Sequence, residues 1–144
     1  MTQVPRHLGR RAVFIDTSAF FASTVRRDVN FLAAMRILER VESDGAALVT
    51  TTYLVAEAHA LFLSKEGRHA AAEFLREFDN SATTLIRPTE ADETRARNII
   101  YRYADKSFSL ADAVSFAVME RLGIATAFTF DSDFRQYGFA VAEG

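Results

Sequence analysis

The chain has 144 residues, a formal charge of −2, 49% hydrophobic residues and thirteen Phe, with only two Pro and six Gly. That size and apolar fraction suit one domain with a bulky core, residues 1–144, and argue against extended disorder. The absence of cysteine excludes disulfides, thiolate metal sites and thiol nucleophiles, and fits a reducing, cytoplasmic compartment. No run reaches the ~18 apolar residues of a membrane span. The net charge alone does not mark a nucleic-acid binder. Fifteen of the seventeen basic residues are nevertheless Arg, whose planar fork suits phosphate and carboxylate.

Residues 1–10 are basic and lack a signal-peptide core; they read as a flexible lead. Ala12-Val13-Phe14-Ile15 is a continuous apolar run, the mark of a strand buried on both faces, and it ends abruptly in Asp16-Thr17-Ser18. A short helix or turn follows over 19–25. Asp28 stands where an N-cap would open a helix through Val41, with Phe31, Leu32, Met35, Ile37 and Leu38 as its apolar stripe. Asp44-Gly45 stops it. Residues 46–49 form a second buried strand, and Thr50-Thr51-Thr52 caps a helix from Tyr53 to about Lys65, broken by Gly67. A helix over 68–78, a strand over 83–86 and a polar helix over 89–104 come next, the last burying Ala96, Ile99, Ile100 and Tyr103. The helix from Ser109 to Leu122 is apolar almost all round, with Gly123 as its C′ residue. Residues 124–130 and 139–141 are a fourth and a short fifth strand.

Short apolar strands alternating with helices indicate βαβ units and a parallel sheet covered on both faces. Ligands of such folds bind beyond the carboxyl ends of the strands, where strand order reverses. Four acids share that destination. Asp16 ends the first strand and Asp131 follows the fourth. Glu57 has Tyr53, Leu54, Ala60 and Leu61 as helical neighbours, and Asp112 sits between Phe108 and Phe116, so both fall on apolar surroundings. Each has a plainer reading: Asp16 and Asp131 as helix or turn caps, Asp112 in a capping box with Ser109, Glu57 in a buried pair with an Arg. Converged, the four would repel one another and raise their pKa values or require a cation, for which Mg²⁺ or Mn²⁺ has the right preference for oxygen.

The segments Phe14-Ile15-Asp16-Thr17-Ser18, the Glu57 helix, Ser109-Leu110-Ala111-Asp112-Ala113 and Thr129-Phe130-Asp131-Ser132-Asp133-Phe134 resemble the PIN-domain ribonucleases, and among them the VapC-type toxins of bacterial toxin–antitoxin pairs. The resemblance runs from about residue 11 to 142. It implies a three-layer α/β/α sandwich on a mostly parallel sheet of four to five strands. It further implies a metal-dependent endoribonuclease whose Asp16, Glu57, Asp112 and Asp131 hold Mg²⁺ or Mn²⁺. Thr17 or Ser18, and Thr129, would support the acids by hydrogen bonding. Asp133 is an extra acid, a second-site ligand or outer partner, and Asp105 is better read as a loop residue. RNA, a cognate antitoxin and a second copy of the chain are the implied partners. Arg26, Arg27, Arg95, Arg102 and Arg135 are candidates to hold the RNA backbone.

Other chemistries fit less well. Ser18 and the three His (His7, His59, His69) have no triad-like setting, and no Gly-rich phosphate loop is present. An aspartyl phosphotransferase with Asp16 as nucleophile is the enzymatic alternative, but Ser18 stands where a second Asp is expected, and the only Lys are Lys65 and Lys106. A non-catalytic PIN-like module that binds RNA or protein is the other.

Overall fold

The computed structural model describes residues 11–144; the lead read at 1–10 lies outside them. Five strands form one sheet: β1 (Ala12–Ile15), β2 (Ala47–Thr51), β3 (Thr84–Ile86), β4 (Thr126–Phe128) and β5 (Ala140–Val141). Their order is β3-β2-β1-β4-β5, and every pairing is parallel. The first half of the chain winds outward from β1 to β3. The second half crosses back and adds β4 and β5 on the other side. Strand order therefore reverses between β1 and β4.

Side-chain alternation on the strands divides the core in two. Ala12, Phe14, Val49, Ile86 and Ala127 face one layer, built from α5 (Glu90–Arg102), α6 (Leu110–Leu122) and α7 (Asp133–Tyr137). Ile15 and Phe128 face the opposite layer, built from α1 (Thr17–Thr24), α2 (Phe31–Ser43), α3 (Thr52–Glu66) and α4 (Arg68–Asp79). The α3 helix joins both, with Leu54 in the first cluster and Ala58 and Phe62 in the second. This is the expected α/β/α sandwich, with an all-parallel five-stranded sheet.

The α6 helix is buried without interruption from Asp112 to Met119, as its apolar sequence requires. Ser109 caps it, and Gly123 closes it in the left-handed conformation at φ 71°. Phe116 anchors an aromatic nest. It stacks on Tyr137 with centroids 4.5 Å apart and meets Phe108 and Phe134 edge-on, each at 5.0 Å. Such pairs add to area burial, and here they fasten the five-residue α7, which local sequence alone does not announce, to α6.

Several boundaries differ from expectation, and three have a clear physical reason. The β2 strand runs on through Thr50 and Thr51, because the Thr50 hydroxyl donates to the Ile15 carbonyl at 2.9 Å; only Thr51 caps α3, accepting from Leu54 N–H. The α2 helix starts at Phe31, not after Asp28, whose carboxylate instead accepts the Asn30 N–H at 2.8 Å in the preceding turn. Its buried residues are Ala34, Ile37 and Val41, whereas Leu32 is 69% exposed. The β4 strand stops at Phe128, since the next residue, Thr129, turns its hydroxyl to a different task described below.

A long-range pair that no local pattern signals holds α5 to α6. Asp92 is 3% exposed and completes a capping box with Thr89. The Arg121 guanidinium donates to both of its oxygens, each at 2.8 Å. Burial works against the Asp92 charge, but these bonds and those from Thr89 prevail and hold its pKa below the usual carboxylate range. Removing one partner of such a bidentate pair leaves the other charge uncompensated. Arg121→Met should therefore lower unfolding stability by about 2 kcal/mol, measured by urea denaturation at pH 7, whereas exchange at the exposed Arg76 should change it by less than about 0.5 kcal/mol.

Candidate active site

Asp16 lies one residue beyond β1 and is the N-cap of α1. Its backbone N–H completes the sheet by donating to Phe128 O at 3.2 Å. Its carboxylate, 4% exposed, is gripped on both oxygens: Oδ1 accepts from Ser18 Oγ at 2.7 Å and Ala19 N–H at 3.1 Å, and Oδ2 accepts from Thr129 Oγ1 at 2.7 Å. Capping and site-building are thus one arrangement, since the cap bonds orient the acid. Burial pushes its pKa up to about 6 against the pull of these bonds, with the Asp131 charge adding to the rise.

The two hydroxyls do double duty. The single Thr129 proton goes to Asp16, and the same oxygen accepts the Asp131 N–H at 3.0 Å. Ser18 Oγ donates to Asp16 and accepts the Phe130 N–H at 2.9 Å. The loop after β4 is therefore fixed to the end of β1 by side chains rather than by sheet pairing.

Glu57 is half-buried and accepts from Thr17 Oγ1 at 2.7 Å. Its partner is a hydroxyl rather than an Arg, and that hydroxyl belongs to the residue next to Asp16. Asp112 is the third residue of α6. It forms the reciprocal box with Ser109, in which Ser109 N–H donates to Asp112 Oδ2 at 3.1 Å and Asp112 N–H donates to Ser109 Oγ at 3.0 Å. Burial raises the Asp112 pKa despite those bonds, and the Asp131 charge raises it further. Asp133 opens α7, and its N–H donates to Asp131 Oδ1 at 3.0 Å. Its carboxyl lies against that of Asp112. Burial first, then the closeness of Asp112 and Asp131, lifts the Asp133 pKa to about 7.

At the crevice between β1 and β4 the structure thus places Asp112, Asp131 and Asp133 within one another's influence, sets Asp131 near enough to act on Asp16, and ties Glu57 to the residue next to Asp16 through Thr17. Asp131 itself is exposed. Among the described residues none of these five acids has an ion-pair partner. No three of them are close enough to form a ready-made ligand cage. The donor set nonetheless fits a hard divalent cation by its chemistry: oxygen donors alone, clustered negative charge, protons held more tightly than usual on Asp16, Asp112 and Asp133, and, among the described residues, no basic side chain paired with them. Asp133 is the acid that sequence alone underrates. Its signal is the i+2 spacing from Asp131, which an Asx-type turn converts into proximity to Asp112.

The remaining candidates separate clearly. Asp105 is an exposed loop residue 3.7 Å from Lys106 Nζ. Arg27 is paired with Glu66, and Arg95 with Glu120 and Tyr137. Arg26 and Arg102 are exposed. Of the five arginines, Arg135 alone lines a cavity together with a site acid, Asp131.

Comparison with known proteins identifies the family and the fold. The PIN domain family profile matches residues 13–140. The 23S rRNA-specific endonuclease VapC20 of Mycobacterium tuberculosis is 30% identical over 128 residues, spanning 88% of this chain and 95% of its own. Ribonuclease VapC26 of the same organism is 30% identical over 119 residues, spanning 83% and 86%. The crystal structure of VapC20, described as a Sarcin-Ricin loop cleaving toxin, superposes with a TM-score of 0.85 at 27% identity, covering 92% of this chain and 99% of that one. VapBC2 from Rickettsia felis shares the fold at a TM-score of 0.65 and 13% identity, covering 90% and 96%. With its sheet order, its acids at the β1–β4 crevice and these matches across most of its length, the chain belongs to the PIN domain family.

Proposed function

We propose that this chain is an endoribonuclease of the VapC kind, hydrolysing RNA phosphodiester bonds with Mg²⁺ or Mn²⁺ held by Asp16, Glu57, Asp112 and Asp131. The observation that carries the reading is the group of carboxylates gathered at the β1–β4 crevice without an ion-pair partner among the described residues. Asp133 is a further ligand or an outer partner of the same site. A bound divalent ion would activate water and offset charge on the scissile phosphate, which the acids alone would repel. The protein's own contribution is positioning. Ser18 and Thr129 fix the direction of Asp16, Thr17 fixes Glu57, and the Ser109 box fixes Asp112 at the mouth of α6. Arg135 offers a cation to RNA phosphate beside the acid loop.

The names of the relatives support an RNA substrate. That VapC20 is a toxin supports the same role for this chain, hence a cognate antitoxin as inhibitor and a cytoplasmic setting; the family resemblance in the sequence adds a homodimer. The relatives, named as an endonuclease and a ribonuclease, favour this reading over the phosphotransferase alternative. The deciding experiment is incubation with cellular RNA and Mg²⁺ or Mn²⁺, with and without EDTA, with cut sites mapped by sequencing. Metal-dependent cuts at defined positions are expected; no cuts, or cuts indifferent to EDTA, would contradict the proposal.

Two further outcomes follow from the site. Asp112→Asn keeps an oxygen that accepts from Ser109 N–H but removes a charge from the cluster. It should reduce cleavage by more than the ten- to hundredfold that outer metal-site partners typically carry, while the thermal midpoint stays the same or rises; full activity in the variant would remove Asp112 from the site.

The second concerns pH. Asp133 holds its proton to about pH 7 in the folded protein, against an ordinary 3.8. Its favourable contribution to stability is therefore complete below pH 3.8 and is lost as pH climbs through about 7. In EDTA, the stability of wild type relative to Asp133→Asn should decline across that window, and excess Mn²⁺ should reverse the decline at the upper end. Parallel pH profiles for the two proteins would show that Asp133 carries no such strain.

A further inference from the structure

A cavity of about 340 Å³ opens beside the acid loop, on the β5 side of the crevice. Phe130, Asp131, Ser132 and Arg135 form its loop-and-helix wall, and Val141 and Ala142 its floor. Building on the ribonuclease reading above, we propose that this cavity is a nucleotide subsite. It receives the base of a nucleotide flanking the scissile phosphate, with Phe130 as the stacking face and Arg135 as the contact to the adjoining phosphate.

Three observations converge on this assignment. The first is chemical. One wall is a half-buried phenyl ring held edge-on against Phe128 at 5.9 Å, the floor is aliphatic, and the rim carries an exposed guanidinium with no ion-pair partner among the described residues. Aromatic face, apolar floor and cation together are the combination that holds an unpaired nucleotide, in which a base stacks and a phosphate is neutralised. The second is register. Asp131 belongs both to the cavity wall and to the acid cluster, so an occupant lies one step from the reacting phosphate. The third is rigidity. The Phe130 N–H is bonded to Ser18 Oγ and the Asp131 N–H to Thr129 Oγ1, the same two hydroxyls that grip Asp16. The stacking face and the acids are therefore parts of one hydrogen-bonded unit. Among the described residues no side-chain hydrogen bond or ion pair engages the Arg135 head group, which leaves it available for a ligand.

The test compares wild type with Phe130→Leu, which keeps apolar bulk without a ring, Phe130→Trp, which keeps a larger stacking face, and Arg135→Gln. Each is given ribosomes and total RNA with Mn²⁺. Cut positions are mapped, and KM and kcat are measured on the RNA fragment that wild type cuts best. Phe130→Leu should raise KM about tenfold or more and weaken the preference for one nucleotide beside the cut, with kcat nearly unchanged. Phe130→Trp should retain both affinity and preference. Arg135→Gln should raise KM at every sequence and flatten the salt dependence by about one ion, with an unchanged thermal midpoint showing that the effect does not come through folding. Wild-type KM and unchanged cut-site preference in Phe130→Leu and Arg135→Gln would overturn the subsite while leaving the ribonuclease reading intact. Absence of metal-dependent cutting by wild type would overturn both.

Discussion

The candidate site is organised around the burial of one carboxylate. Asp16 is nearly inaccessible and has no cationic partner among the described residues. An unpaired buried charge is costly unless hydrogen bonds satisfy it. Here two hydroxyls and a backbone N–H do so, and the remaining capacity of the hydroxyls goes to the loop after β4. The stability problem posed by Asp16 is thereby solved by the same atoms that set Phe130 and Asp131 in place. The cost is only partly offset, because its pKa still rises to about 6. Asp16 caps α1 and still carries an incompletely compensated charge, which is the physical ground for proposing a cation beside it.

The fold supplies the place. An all-parallel sheet in order β3-β2-β1-β4-β5 leaves a crevice between β1 and β4, where the crossovers depart to opposite sides. Helix starts supply the rest. Asp16 opens α1, Asp112 lies in the first turn of α6 and Asp133 opens α7. Each acid sits where helix amides and the helix dipole favour negative charge, which tempers the repulsion of crowding them. The aromatic nest around Phe116 and the Asp92–Arg121 clamp are packing features. They hold α7 and α5 against α6, and so keep Asp133 against Asp112.

Much of this is legible in the residues. Apolar tetrads such as Ala12–Ile15 announce buried strands, and Gly67 and Gly123 end helices as their positive φ angles require. Acids out of keeping with their surroundings mark the site. What escapes is long-range or geometric. Asp92 and Arg121 are 29 positions apart, and nothing local says they meet. The α7 helix is too short for periodicity to reveal and exists because Phe134 and Tyr137 are packed on Phe116. Asp28 has the residue type of a cap, yet its carboxylate is taken by a turn just before the helix begins. The helical neighbours of Glu57 predict an apolar setting, whereas its half-buried carboxylate meets the Thr17 hydroxyl. Three of the four acids have rival explanations as caps or turns, and all three are correct: Asp16 and Asp112 sit in caps, and Asp131 accepts the Asp133 N–H in a turn. Local sequence cannot show whether a cap also serves a site.

The central claim is that these carboxylates constitute one divalent-cation site. Calorimetric titration of the protein with Mn²⁺ at about pH 6.5, in two buffers of different ionisation enthalpy, tests it most directly. Asp16 and Asp133 retain protons up to about 6 and 7, and a cation must displace them. The expected result is saturable binding accompanied by proton release, strongly weakened in Asp16→Asn and Asp112→Asn. Absence of saturable binding, or binding that is indifferent to both substitutions, would contradict it.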